Sequence, residues 1–400
     1  MKTPPKHRSK RWLFWLIFLA ALVLILAVVA WLYLHPHDNK KSSTITKPAP
    51  TIVSLESNAA FFGDIYWGRY INQWSNESGL GIKYPFSRLG EFDRSKYTEW
   101  VANLECPTVA GLNIPPKTED ATLTFNCNPD YLPEAAKWFG IVSLANNHSG
   151  NQGADGFAET QKHLEENGIQ YFGSYDYTNT TDVCNVVAWP VIVTYSDGST
   201  KNGDVPLALC GYDGVFGIPV ADAIDEIKTY SAVVPTIAMP HMGVEYTTTP
   251  NNIQRNTYHR MINDGADMVL GNHPHWVQSA ESYNGHLIMY SMGNFIFDQQ
   301  ANSEVTRSAV VNVKMSLSDN SDILQKWLEI GKTCGSYDDS CLKQVEQAGL
   351  AKPKYNWQIG IMGGDSSNKI TKPASAEVTA GILERLGWDY LELDAPYSKM

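Results

Sequence analysis

Twenty-three consecutive apolar residues, Trp12 to Leu34, carry no charge. At 1.5 Å rise per residue, one helix of that length crosses the roughly 30 Å hydrocarbon core of a bilayer. Trp12, Trp15, Trp31 and Tyr33 stand near its ends, where amphipathic rings prefer the membrane interface. Lys2, Lys6, Arg8, Lys10 and Arg11 precede it without an acidic residue, a bias that holds the N-terminus in the cytoplasm. The run exceeds the about 7–15 residues of a secretory signal core, and no small-x-small cleavage site follows it. The sequence therefore predicts a single-pass protein of the cell membrane. Residues 1–11 form a cytoplasmic tail, 12–34 the transmembrane helix and 35–50 a polar Ser/Thr/Pro linker, with the rest extracytoplasmic.

Charge divides along the same boundary. Of 31 Lys/Arg and 42 Asp/Glu, residues 1–50 hold 8 and 1, so the remainder carries 23 and 41, a net of −18. An acidic ectodomain argues against nucleic acid as a partner. It leaves room for an anionic polymer or phosphoester, because bound divalent cations reverse the local field. All six cysteines lie beyond the apolar run, in an exterior that permits disulfides. Six cysteines allow fifteen pairings. Pairing sequence neighbours gives Cys106–Cys127, Cys184–Cys210 and Cys334–Cys341; a zinc site is the competing reading, but no CxxC pair is present.

Residues 51–400 alternate strand-like apolar runs with helical patterns, which predicts an α/β domain. Strands are expected at Asn58–Gly63, Trp100–Leu104, Ile141–Ala145, Val186–Tyr195, Pro206–Gly211, Thr236–Met239, Met268–Gly271, His286–Ser291 and Ala309–Met315. A turn-rich hairpin is expected over Ser196–Asp204. Helices are expected at Tyr131–Trp138, Gly153–Asn167 and Asn252–Asp264. The main domain is read as 51–317. Residues 318–400 are read as a C-terminal extension packed on it, with a helix at Ala376–Leu386 and a strand at Tyr390–Leu393.

Polar residues gather where these strands end, the place at which open α/β sheets bind ligands. The segments are GDIYWGR (63–69), NLE (103–105), LANNH (144–148), HMGVEY (241–246) and GNHPH (271–275). They supply carboxylates, amide oxygens and imidazoles without a thiolate, a donor set suited to Mn, Fe or Zn. His273 and His275 are two apart, so in extended chain both rings point the same way and can address two adjacent ions.

These segments, with GADMVLGNHPHWVQ and YSMGNFIFD, resemble the CapA family (also called PgsA), associated with capsular poly-γ-glutamate synthesis and similar to the calcineurin-like metallophosphoesterases. The resemblance runs from about Phe61 to Asp298. It implies a four-layer α-β-β-α sandwich with two divalent metal ions at the strand ends. Carried over by motif, Asp64 and His275 bind the first metal and Glu105 bridges both. Asn147, His241 and His273 bind the second. His148 stands where the superfamily places the acid that protonates the leaving oxygen, and Arg69 is expected to hold a phosphate oxygen. Glu245 is read either as a partner that orients His241 or as a surface charge.

The sequence departs from the family or the wider superfamily pattern in four places, though NLE itself is the CapA pattern. Tyr66 occupies the position of a histidine ligand to the first metal. Glu105 replaces the superfamily's usual Asp, Asn151 replaces an Asp after NNH, and Met242 replaces a Trp. Tyr66 and Asn151 bear most directly on whether both metal positions fill. The leading reading is a metal-dependent hydrolase, a phosphoesterase of capsule or poly-γ-glutamate assembly. A second is a non-catalytic scaffold working with polymer synthase or export subunits. A third is an amide hydrolase acting on poly-γ-glutamate.

Overall fold

The computed structural model describes residues 11–35, 49–335 and 340–400, so nearly all of the expected cytoplasmic tail and linker residues 36–48 lie outside the described residues. Arg11–Leu34 is one helix. Its side chains from Trp12 onward are exposed, and Trp12–Leu34 is long and apolar enough to cross a membrane. Pro50–Met400 forms a separate compact unit.

Its strands are β1 (Ile52–Ile65), β2 (Glu99–Leu104), β3 (Ile141–Ser143), β4 (Gln170–Phe172), β5 (Cys184–Tyr195), β6 (Thr200–Asp213), β7 (Thr236–His241), β8 (Met268–Leu270), β9 (Ala280–Tyr283), β10 (His286–Met289), β11 (Asn294–Ile296), β12 (Arg307–Leu317), β13 (Tyr355–Asp365), β14 (Lys372–Pro373) and β15 (Tyr397–Lys399). The first half of β1 pairs antiparallel with β5, and its second half pairs parallel with β2. At this switch the one 15-stranded sheet divides into two arms, β9-β10-β8-β7-β6-β5 and β4-β3-β2-β1-β12-β13, joined where β1 meets β5. Alternation along β1 separates two cores: Leu55, Ala59 and Phe61 enter one, Ala60, Phe62 and Ile65 the other. Phe61 packs on Trp189 of β5, with ring centroids 6.0 Å apart. Helices Ala221–Ser231 and Asn252–Asn263 bury Ile227 and Met261 on one flank. Gly153–Glu166 buries Leu164 on the other, completing the α-β-β-α order.

Residues 318–400 contribute β13, which pairs with β12 from Arg307↔Asp365 to Leu317↔Tyr355. Asp267 also holds this segment: its Oδ1 accepts from the hydroxyls of Tyr355 (2.7 Å) and Tyr397 (2.8 Å). The helix at Ala376–Leu386 forms as expected, with Ser375 as N-cap and Gly387 as a left-handed C-cap. The strand expected at Tyr390–Leu393 does not form; a 3-10 turn over Trp388–Tyr390 takes its place. The cysteines pair as sequence neighbours, Cys106–Cys127, Cys184–Cys210 and Cys334–Cys341.

Candidate metal centre

Parallel pairing brings the carboxyl ends of β1, β2 and β3 to one edge, and does the same for β6, β7 and β8. Asp64 is the penultimate residue of β1, Glu105 follows β2, Asn147 lies just beyond β3, His241 ends β7, and His273 and His275 follow β8. Close backbone approach fixes the floor. A Cβ on Gly63 would lie 1.7 Å from the Gly293 carbonyl oxygen, so only glycine admits the contact between GDIYWGR and the loop before β11.

Asp64, Glu105 and His241 are buried and bring ligand atoms within 4.8 Å of one another, a group that can hold a metal ion. His241 Nδ1 is 3.6 Å from Asp64 Oδ1 and its Nε2 is 3.9 Å from Glu105 Oε1. The Asn147 amide oxygen lies 3.0 Å from His241 Nε2. The rings of His241 and His273 are 4.9 Å apart, and His275 Nδ1 is 4.0 Å from Asp64 Oδ2. His273 and His275 are not in extended chain. Their φ angles are 96° and 58°, and the left-handed backbone turns both residues toward the centre. Non-glycine residues pay about 1–3 kcal/mol for such conformations, which concentrate at functional sites.

The fit to a cation follows from what this pocket leaves unpaired. Among the described residues, Asp64 Oδ2, both Glu105 oxygens, Asn272 Oδ1 and His273 Nδ1 are buried without a hydrogen-bond partner. Buried polar groups are normally paired, so unpaired carboxylate oxygens in the Asp64–Glu105–His241 group call for a bound cation or water. Electrostatics agree. Burial pushes the Asp64 carboxyl up to about 7 against the opposing hydrogen bonds of Asn103 and the His273 backbone. Burial, then repulsion from Asp64, raises Glu105 well above the carboxylate range. Burial lowers His273 to about 3 and His275 to about 4, and takes His241 well below its ordinary value. A divalent cation removes both penalties, compensating the carboxylates and accepting the imidazole lone pairs.

Neighbouring amides orient the rings. Asn294 directs its nitrogen to the Val305 carbonyl (3.2 Å), so its oxygen accepts from His275 Nδ1 (2.8 Å) and leaves the Nε2 lone pair available. Asn151 Oδ1 accepts from the Phe125 amide (2.7 Å) and from His148 Nδ1 (3.0 Å). His148 Nε2 therefore faces Glu105 Oε1 at 3.9 Å, with its ring stacked on Phe125. Burial lowers His148 to about 4, so the ring is neutral near pH 7.

Several residues do other work than expected. Arg69 is buried, its Nε and Nη2 donate to Asp298 at 2.8 and 2.6 Å, and its Nη1 lies 3.7 Å from Asp120 Oδ1. Tyr66 donates its hydroxyl to Glu119 (3.3 Å) and packs between Phe125 and Phe297, so it forms wall where a histidine ligand was expected. Glu245 lies 3.9 Å from His275 Nε2 and is half-exposed, beside His275 rather than His241.

Sequence reasoning gave no role to Asn103 and Asn146. Asn103 Nδ2 donates to Asp64 Oδ1 (2.8 Å) and sits 3.3 Å from His241 Nδ1. Asn146 Nδ2 donates to Asn103 Oδ1 (3.1 Å), and its own oxygen accepts from the amides of His148 and Ser149. Both lie inside the quoted NLE and LANNH segments, which was the available signal. Asp213, a buried carboxylate at the end of β6, was also missed.

The family model described as bacterial capsule synthesis protein PGA_cap matches residues 58–299. The chain is 26% identical over 296 residues to the PGA biosynthesis protein CapA of Bacillus subtilis (strain 168), covering 71% of this chain and 72% of that one. It is 28% identical over 249 residues to the capsule biosynthesis protein CapA of Bacillus anthracis, covering 59% of each. A solved structure, the calcineurin-like phosphoesterase YfkN from Bacillus subtilis, is similar at 13% identity and a TM-score of 0.35, over 74% of this chain and 98% of that one.

Proposed function

Because the chain belongs to the bacterial capsule synthesis family PGA_cap, we propose that it is a membrane-anchored, metal-dependent phosphoesterase of capsular polymer assembly, working outside the cytoplasm. The observation that carries this reading is the set of buried, unpartnered ligand atoms on Asp64, Glu105 and His273 around His241. Asp64, Glu105 and His275 would hold one divalent ion, and Glu105, Asn147, His241 and His273 a second, each Mn, Fe or Zn. Bound there, two such ions supply Lewis acidity and activate water at neutral pH.

The chain's own groups do the rest. Phe125 and Asn151 hold His148 with Nε2 toward the centre. Neutral when empty, this ring gains basicity when an anionic phosphoester arrives, and is then placed to deliver a proton to the leaving oxygen. Arg69 Nη1, whose partner is the exposed carboxylate of Asp120 at 3.7 Å, would turn to a non-bridging oxygen. The basic tail and apolar run support the topology, with the N-terminus cytoplasmic and the acidic unit outside.

One observation favours a second reading. The Tyr66 hydroxyl is committed to Glu119 and the Arg69 fork to Asp298, a pattern that also suits a scaffold binding polymer synthase or export subunits. Elemental analysis of the purified protein, with His241→Ala and His275→Ala alongside, separates the two. The hydrolase reading expects about two ions per chain, lost in the variants, and turnover of a phosphodiester that His148→Ala abolishes. A folded protein that takes up no Mn, Fe or Zn ends it and leaves the scaffold.

A further inference from the structure

Asp213 closes β6, and its Cα is the register partner of His241 at the end of β7. The Gly214 amide donates to the His241 carbonyl at 2.9 Å, fixing that alignment. Register partners on adjacent strands project to the same face of the sheet, with strands about 4.8 Å apart. The Asp213 carboxylate therefore leaves the sheet beside the His241 ring.

It is 1% exposed. Oδ1 accepts from the Val215 amide at 3.1 Å, a turn contact that an asparagine or serine makes as well. Oδ2 has no partner, and among the described residues no Lys, Arg or His pairs with it. An isolated buried carboxylate is among the costliest groups a protein can hold without a cation or donor. The turn does not need its second oxygen, so the cost points to the neighbouring centre. Asp213 also acts electrostatically on Glu105, which places the two carboxyls within each other's field.

We propose that Asp213 is a positioning residue of the metal centre, whose Oδ2 attracts and steadies a divalent cation beside His241 from outside the group formed by Asp64, Glu105 and His241. The inference rests on the metal-dependent reading of the site.

The test is Mn²⁺ titration of the metal-stripped, detergent-solubilised full chain. Asp213→Asn should keep the stoichiometry and weaken the affinity by about 10–100-fold, the usual cost of losing an outer partner of a metal site. Its metal-stripped form should melt no lower than the parent, because the amide oxygen keeps the Val215 contact and the buried charge is gone. Asp197→Asn, at an exposed turn of the same kind between β5 and β6, should bind like the parent. If Asp213→Asn does not fold, Asp213→Ser keeps a turn cap without the charge and should show the same weakening. Parent-like affinity in whichever folded variant is measured overturns the proposal and leaves the phosphoesterase reading intact. A parent chain that binds no Mn²⁺, Fe²⁺ or Zn²⁺ removes both.

Discussion

The amide oxygen of Asn151 stands 3.0 Å from His148 Nδ1, where an aspartate at the same place would bring a charge. Asparagine fixes the tautomer, and its hydrogen bond favours the imidazolium but does not overcome the burial that lowers the ring to about 4. Asn151→Asp should raise the His148 pKa by about 1–3 units through the added opposite charge. The protonated form then persists to higher pH. Imidazole NMR of the metal-stripped protein reads this directly. An unmoved titration would mean that the carboxylate has turned away to solvent.

Asn103 links Asp64 to His241 through one amide group. Asn103→Ala removes the donor to a buried carboxylate and should cost about 1–3 kcal/mol in urea unfolding. It should also weaken metal binding. Asn103→Asp should be worse, since it sets a third anion against Asp64 and Glu105.

The strand ends were legible because each apolar run stops at a polar residue within a short motif, as IVSLANNH does. The roles of Asn103 and Asn146 were not, because the bond between them spans 43 positions and needs β2 and β3 to pair first. Local composition misled at Ser196–Asp204. Lys201, Asn202, Gly203 and Asp204 are weak strand formers, yet β6 starts at Thr200 because unbroken pairing with β5 from Thr194↔Thr200 to Cys184↔Cys210 outweighs propensity. The backbone at His273 and His275 was misjudged for a related reason. The two-residue spacing was read as extended chain, whereas the backbone turns left-handed at both.

Glu99, remote from the ligands at the start of β2, gives a stability prediction. Burial pushes its carboxyl up to about 7 from 4.5, even though the amides of Trp100 and Gly140 donate to it. A folded-state pKa above the unfolded value means that the fold holds the proton more tightly. This contribution is fully present below pH 4.5 and is lost as pH rises through 7. Over that window it amounts to about 3 kcal/mol. Glu99→Gln keeps both acceptor contacts and does not ionise. Its stability relative to the parent should therefore improve between pH 5 and pH 8, as urea unfolding at the two pH values measures.

Cys106 follows Glu105 directly, and its disulfide to Cys127 closes a 21-residue separation over the site. Replacing both cysteines by serine should cost about 3 kcal/mol by releasing that loop in the unfolded chain. It should also loosen the segment carrying Phe125, the ring on which His148 stacks. The expected signature is loss of turnover exceeding loss of metal, since Glu105 itself is held by β2.

Tyr66 offers a test of how many ions the centre accepts. Its ring stands 4.9 Å from Phe125 and 5.2 Å from Phe297, and its hydroxyl satisfies Glu119, which also accepts from the Arg69 and Asn126 amides. Tyr66→His trades this packing for an imidazole two residues beyond Asp64. Loss of aromatic contact and of the Glu119 partner should lower stability by about 2 kcal/mol in the metal-stripped protein. If the tyrosine leaves the Asp64–His275 position one ligand short, the parent will bind about one ion tightly and the variant about two, with a correspondingly larger rise in melting temperature when metal is added. If the parent already binds two, Asp64, Glu105 and His275 suffice for the first position, and the histidine should cost stability without adding metal. Elemental analysis of the two proteins, prepared side by side, distinguishes these outcomes.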